Sequence, residues 1–230
     1  MSPSSSSRHR PAGRPPKTPG GPNIRLLIMD NALQVFAEKG ISATTIKEIS
    51  QRAKVTAATL YYHFRNRENL INQTLDHFLT PALLNLWATA EVDDPKETLK
   101  ELLARALDLA QSSPWFLPLW SREFVSEAGS LREFILTRFK DQKIALFLTK
   151  IQTGQAKGVL NPKLAPELVF LSIVGTVFVT LLGRPSFEKI FGRKVTDDQV
   201  LEHIRSFLTT GLLNAQKEDG HEREARQPRP

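Results

Sequence analysis

Tyr61, Tyr62 and His63 follow the small residues Ala57, Ala58 and Thr59 in one short run, with Lys54 and Thr56 just before them and Arg67 just after. On the outward face of a helix, such a set suits a nucleic-acid duplex. Small side chains let a helix sit deep in the major groove, alanine methyls can meet thymine methyls, and a threonine hydroxyl can bond a base edge. Phenol and imidazole groups donate to phosphate oxygens, and the Lys54 ammonium can reach a phosphate. The alternative for one of the two tyrosines is a place in the core. Catalytic chemistry has no comparable constellation. The chain has no cysteine, and its five histidines, His9, His63, His77, His203 and His221, show no metal-binding helical spacing. Neither a Gly-Lys-Ser/Thr phosphate loop nor a Gly-x-Ser-x-Gly turn occurs, so no enzyme activity, metal or cofactor is expected.

The elements that must position this run announce themselves through their caps. Ile28, Ala32, Val35 and Phe36 mark a first helix, with Gly40 suited to a left-handed stop. Thr45 and Glu48 have capping-box spacing ahead of a short second helix carrying Ile46, Ile49 and Ala53. After the link Ala53-Lys54-Val55, Thr56 caps a third helix with Leu60 and Phe64 on its inner face, and Asn66 caps a fourth with Leu70 and Ile71. Two short helices on a three-residue link have helix-turn-helix geometry, in which the second enters a groove and the first braces the backbone.

The net charge of +7 is confined to this end. Residues 1–72 hold 11 Lys and Arg against 4 Asp and Glu, whereas residues 73–230 hold 20 of each. A basic, polyanion-binding front on a neutral body follows; a basic tail without a binding role is the alternative. Residues 1–22 combine six prolines and three glycines with Arg8, Arg10, Arg14 and Lys17 and almost no hydrophobe, a composition expected to stay a flexible arm. Within it, Gly13-Arg14-Pro15 resembles the core of AT-hook-like arms, which lay an arginine along a narrow minor groove. Residues 216–230 are expected to be a solvated tail. The start lacks the apolar segment of a secretory signal and the chain lacks cysteine, so a cytoplasmic location is expected.

Beyond the front, the pattern predicts about five more helices and an all-α fold of about nine. Asp94-Pro95 opens one with Leu99, Leu102, Leu103, Ala106 and Leu107, and Ser130 with Glu133 opens a long one ending near Gly158. The aromatic stretch 114–129 is read as broken by Pro118. An eighth helix is expected over 166–182, and a ninth from the Thr196–Gln199 box to Gly211. A membrane span is not expected, because the apolar run 168–182 includes Ser172, Thr176 and Thr180 and falls short of about 20 residues. A two-helix reader spans few base pairs, so a homodimer on a two-fold axis is expected. Its seam is assigned to Leu168, Ser172, Gly175, Val179 and Leu182 with Leu201, Ile204 and Leu208; an intrachain core is the alternative.

The stretch ALQVFAEKGISATTIKEISQRAKVTAATLYYHFRNRENLI resembles the N-terminal domain of TetR-type transcription regulators over about fifty residues. The resemblance implies a three-helix DNA-binding domain over 23–70 and an effector-binding and dimerisation domain over 71–215. It implies phosphate contacts for Tyr62, His63 and Arg67, a place near the DNA backbone for Thr44 and Thr45, and dimerisation through the last two long helices. It also implies a small-molecule effector, for which Trp87, Phe116, Trp120, Phe124 and Phe147 are the candidate lining, with plain core packing as the alternative for each. The partners so implied are a double-stranded, palindromic operator, the effector and a second copy of the chain. Two departures stand out: Lys54 occupies the usual turn glycine, and Ala57-Ala58 replaces a basic residue and glycine. An architectural DNA binder with little sequence preference, or a helical ligand-binding protein that ignores DNA, remains the rival reading.

Overall fold

Capping side chains decide where each helix of the N-terminal head begins. The computed structural model describes residues 23–126, 129–138 and 142–213; the arm with Arg14 and the tail from 214 lie outside them. Helix α1 (Ile24–Lys39) starts where Asn23 accepts hydrogen bonds from the Arg25 and Leu26 N–H groups. Helix α2 (Ile46–Arg52) carries the complete Thr45–Glu48 capping box. Helix α3 (Ala57–Phe64) starts at Thr56, whose hydroxyl accepts from the Thr59 N–H at 3.1 Å. Asn66 opens α4 (Arg67–Trp87) in the same way, accepting from the Asn69 N–H at 2.8 Å. Each cap satisfies a donor that the first helical turn leaves without a partner. Helix α4 then runs through Pro81 into the body, so the boundary expected at residue 70 falls inside one continuous helix.

The head closes over a core to which all four helices contribute. Ile28, Ala32, Leu33, Phe36, Ile49, Leu60, Phe64 and Leu70 are each at most 2% exposed. Burying a large apolar side chain of this kind stabilises by about 1.5–3 kcal/mol. Gly40 ends α1 at φ 89° and ψ 157°, a positive φ that favours glycine, although its ψ lies outside the left-handed helical stop that its position suggested.

The body consists of α5 (Pro95–Ser112), α6 (Phe116–Trp120), α7 (Leu131–Arg138), α8 (Gln142–Ala156), α9 (Pro166–Phe191) and α10 (Asp197–Leu212). A 3₁₀ turn (Ala88–Glu91) follows α4 and a π-helical turn (Ser121–Val125) follows α6. Among the described residues there are ten α-helices and no strand, only an isolated bridge between Leu160 and Leu213. Helix α5 packs along α9, and α1 of the head rests on both α4 and α6.

Three expectations are corrected. Pro118 does not break the aromatic stretch: it lies in the first turn of α6, where a missing N–H costs nothing. The long helix expected from Ser130 is described as two, α7 and α8, with residues 139–141 outside the described set. The Ser130 N–H donates to Glu123 Oε2 at 2.9 Å and not to Glu133, so the capping box is not made. Helix α9 passes Gly183 and Pro185 and runs nine residues beyond the expected Leu182. Arg184 holds that extension, bonding Glu188 on the same helix and Asp197 at the start of α10, and Gly192 closes it in the left-handed conformation.

Candidate nucleic-acid interface

The outer face of α3 carries the residues of the first run. Ala57 and Ala58 are exposed at its N-terminal end, and Tyr61 and Tyr62 are 46% and 82% exposed. Neither tyrosine belongs to the core, which Leu60 and Phe64 fill from the opposite face at 0% exposure. His63 is half-buried and meets the Tyr62 ring edge-on at 5.3 Å. Thr59 is also half-buried, and its hydroxyl shares a 2.9 Å hydrogen bond with that of Thr56. Reading a base through Thr59 therefore requires that pair to open or to act jointly.

Two exposed cations flank this helix, both on backbone that L-residues resist. Lys54, in the turn from α2, has φ 54°, and Arg65, capping the C-terminus of α3, has φ 63°. Such conformations cost roughly 1–2 kcal/mol in a non-glycine residue. Among the described residues neither side chain has an ion-pair partner. Arg65 was missed in the sequence, although its place just before the Asn66 cap, where one helix must stop and the next begin, is a signal for a special backbone conformation.

Several expected contact residues are committed internally. Thr44 is 3% exposed and its hydroxyl donates to the Gly40 carbonyl at 2.6 Å, so its side chain does not face outward. Thr45 uses both its N–H and its hydroxyl in the box with Glu48. The hydrogen bond from Lys39, together with those from Thr45, lowers the Glu48 pKa to about 2. Arg67 is partly buried: Nε and Nη2 donate to the carbonyls of Thr44 and Ile41. It braces segment 40–44, and only its remaining donors are left for a phosphate.

The five expected effector-lining aromatics do not form one cavity wall. Trp87 stacks on Phe170 at 3.9 Å and meets the buried Phe147 edge-on. In a second cluster Phe116, itself fully buried, stacks on Trp120, which stacks on Phe124 at 4.0 Å, and Phe178 of α9 closes the group. Phe116 and Phe147 are core rings; their faces already have partners.

The expected seam is half corrected. On α9, Leu168, Ser172, Val179 and Leu182 are exposed, and at the half-exposed Gly175 an added Cβ would meet nothing within 4 Å. On α10, however, Ile204 and Leu208 are buried and Leu201 is half-buried, because this stripe is the one packed into the chain's own core. The face of α10 beside the α9 stripe instead presents Ser206, Phe207 at 63% exposure, Thr210 and Gly211. Together the two faces form an open groove of about 830 Å³. By length and hydropathy α9 is also the one helix among the described residues able to cross a membrane, so the expectation that it is too short does not hold.

Residues 28–74 match the family model for bacterial regulatory proteins of the tetR family, and residues 95–210 match the tetracyclin repressor-like C-terminal domain. The chain belongs to the TetR family. It is accordingly a ligand-responsive, DNA-binding transcriptional regulator. This TetR-family chain is 25% identical over 199 residues to the HTH-type transcriptional repressor KstR2 of Rhodococcus jostii, covering 86% of this chain and 95% of that one. It is 27% identical over 212 residues to the KstR2 of Mycolicibacterium smegmatis, covering 87% and 97%. Its fold is similar to that of the ketosteroid transcriptional regulator KstR2 of Mycobacterium tuberculosis, with a TM-score of 0.65, 23% identity, and coverage of 84% and 97%. It is also similar to AibR, solved in complex with isovaleryl coenzyme A and operator DNA, with a TM-score of 0.62, 19% identity, and coverage of 79% and 96%.

Proposed function

We propose that this TetR-family regulator is a repressor that sits on a palindromic operator as a homodimer and leaves it when a small molecule occupies the body. The observation that carries the reading is the outer face of α3: two exposed tyrosines beyond two alanines, with an exposed cation at each end. Ala57 and Ala58 meet base edges and Tyr61, Tyr62, His63, Lys54 and Arg65 hold phosphates, so phosphate contacts set the register and the small residues admit the groove. Thr59, released from Thr56, supplies one base-edge hydrogen bond. Arg14 in the N-terminal arm adds a minor-groove contact, and deleting residues 1–20 weakens binding several-fold.

The second copy covers the α9 stripe and the adjoining face of α10. Aliphatic residues with a glycine at closest approach suit helix-on-helix packing across a two-fold axis, and this accounts for the exposed apolar face of α9 without a membrane. Binding, with no turnover, and a cytoplasmic location complete the reading. The named repressors among the relatives support repression, and the complex of AibR supports an effector with an apolar acyl part. An effector that weakens operator affinity 100-fold must favour the DNA-free state by about 2.7 kcal/mol, within the usual range of coupling between sites.

Selection of bound fragments from a random DNA pool tests this. A two-fold symmetric site is expected. Enrichment of no particular sequence points to an architectural binder, and absence of salt-dependent binding points to a ligand-binding protein; either outcome overturns the reading. All three tryptophans, Trp87, Trp115 and Trp120, lie in the body and touch the aromatic clusters, so quenching of their emission screens candidate effectors.

A further inference from the structure

A carboxyl group of the body reaches directly into the head. Glu123, in the π-helical turn, is 5% exposed. Its Oε1 accepts from the Ile41 N–H at 2.7 Å and its Oε2 from the Ser130 N–H at 2.9 Å. Two glycines make the room. A Cβ on Gly40 would lie 2.8 Å from Oε1, at a backbone φ of 89° that side chains resist, and a Cβ on Gly129 would lie 2.0 Å from the Glu123 carbonyl oxygen. Segment 40–44, gripped by Glu123 from one side, takes the Arg67 guanidinium on the Ile41 and Thr44 carbonyls and leads into the Thr45 cap of α2. Any displacement of Glu123 is therefore passed to α2 and α4 together.

We propose that Glu123 is the positioning residue that seats the head on the body, and that its withdrawal from Ile41 is how rearrangement of the Phe116–Trp120–Phe124 rings frees the reading helix. This rests on the reading of the chain as an effector-released repressor. The rings are well placed to act: Trp120 immediately precedes the π-helical turn and Phe124 follows Glu123 within it, stacked on Trp120. A π turn is an α-helix with one residue too many, and removing that excess rotates the following side chains by roughly 100°, enough to carry a carboxyl off its acceptor position. The Ile41 N–H is buried, so it is either held by Glu123 or must come out to water, which makes the contact a two-position element.

Backbone hydrogen exchange on the full-length protein, free of DNA and effector, tests this. Glu123→Gln keeps the shape but has one acceptor oxygen for two N–H groups. The Ile41 amide is expected to exchange about tenfold faster or more, with α2 and α3 faster and α10 unchanged. Gly40→Ala attacks the same contact from the head and is expected to act alike, which covers the case that Glu123→Gln does not fold. Trp120→Ala is expected to speed Ile41 exchange in the wild type and to add nothing in the Glu123→Gln background. Unchanged exchange at Ile41 and α2 in a natively helical Glu123→Gln protein overturns the positioning role, and additive effects of Trp120→Ala overturn the route through the rings. Loss of the repressor reading would show separately, as a wild-type protein that selects no DNA.

Discussion

Two exposed faces of this molecule look alike by burial and differ in chemistry. The outer face of α3 offers aromatic rings with hydroxyl tips, two alanines and a cation at either end, whereas the exposed stripe of α9 offers leucine, valine, serine and glycine. The first can satisfy charge and hydrogen bonds and has little apolar area to bury. The second has apolar area and almost nothing with which to meet a charge. Exposure alone does not tell the two apart; on the proposed reading the polar tips suit the first to a polyanion and the aliphatic stripe suits the second to another copy of the chain.

The largest effect is expected at the aliphatic face. Val179→Asp would place acids opposite one another across the proposed seam, at several kcal/mol, so the protein should sediment as a monomer and lose operator affinity by about 100-fold or more. Unchanged dimerisation would move the seam elsewhere. Phe64→Ala, on the inner side of the reading helix, should lower unfolding free energy by about 3–5 kcal/mol in a denaturant titration. One residue pair away in sequence the sign of the lesson reverses: Tyr62→Phe should leave stability unchanged while weakening DNA binding by about 1 kcal/mol, equally on every sequence, as competition titrations can show. A stability loss there would mean that the ring packs inward. The smallest effect concerns pH. Glu48 has a folded pKa of about 2 against an ordinary 4.5, so its contribution to the α2 cap is complete above about pH 4.5 and is lost as pH falls toward 2. Amide protection at the start of α2 should decline over that window, and a Glu48→Gln protein should not share the decline.

What was legible in the sequence was local. Thr45 with Glu48, Thr56, Asn66, Asp94-Pro95 and Thr196 with Gln199 all cap the helices they announce, because a cap is decided within four residues. Failures occurred where distant groups compete. The apolar stripe of α10 was visible, but core and seam are both apolar, so Ile204 and Leu208 did not reveal which one they serve. Nothing near Gly183 and Pro185 predicts that Arg184 will reach Asp197 and carry α9 onward. Thr44 and Arg67 have the right chemistry for phosphate, yet the Thr44 hydroxyl and the Nε and Nη2 donors of Arg67 are taken by carbonyls of their own head, and Glu123 meets Ile41 across a separation of 82 residues.

Lys54 and Arg65 sit on backbone where glycine would rest without strain. Replacing either by glycine should give a free protein that melts later and holds its operator less well. On the phosphate roles proposed for Lys54 and Arg65, a hardier version of this regulator would be reached by loosening its hold on DNA, and screens for thermal resistance alone would harvest variants that have let go.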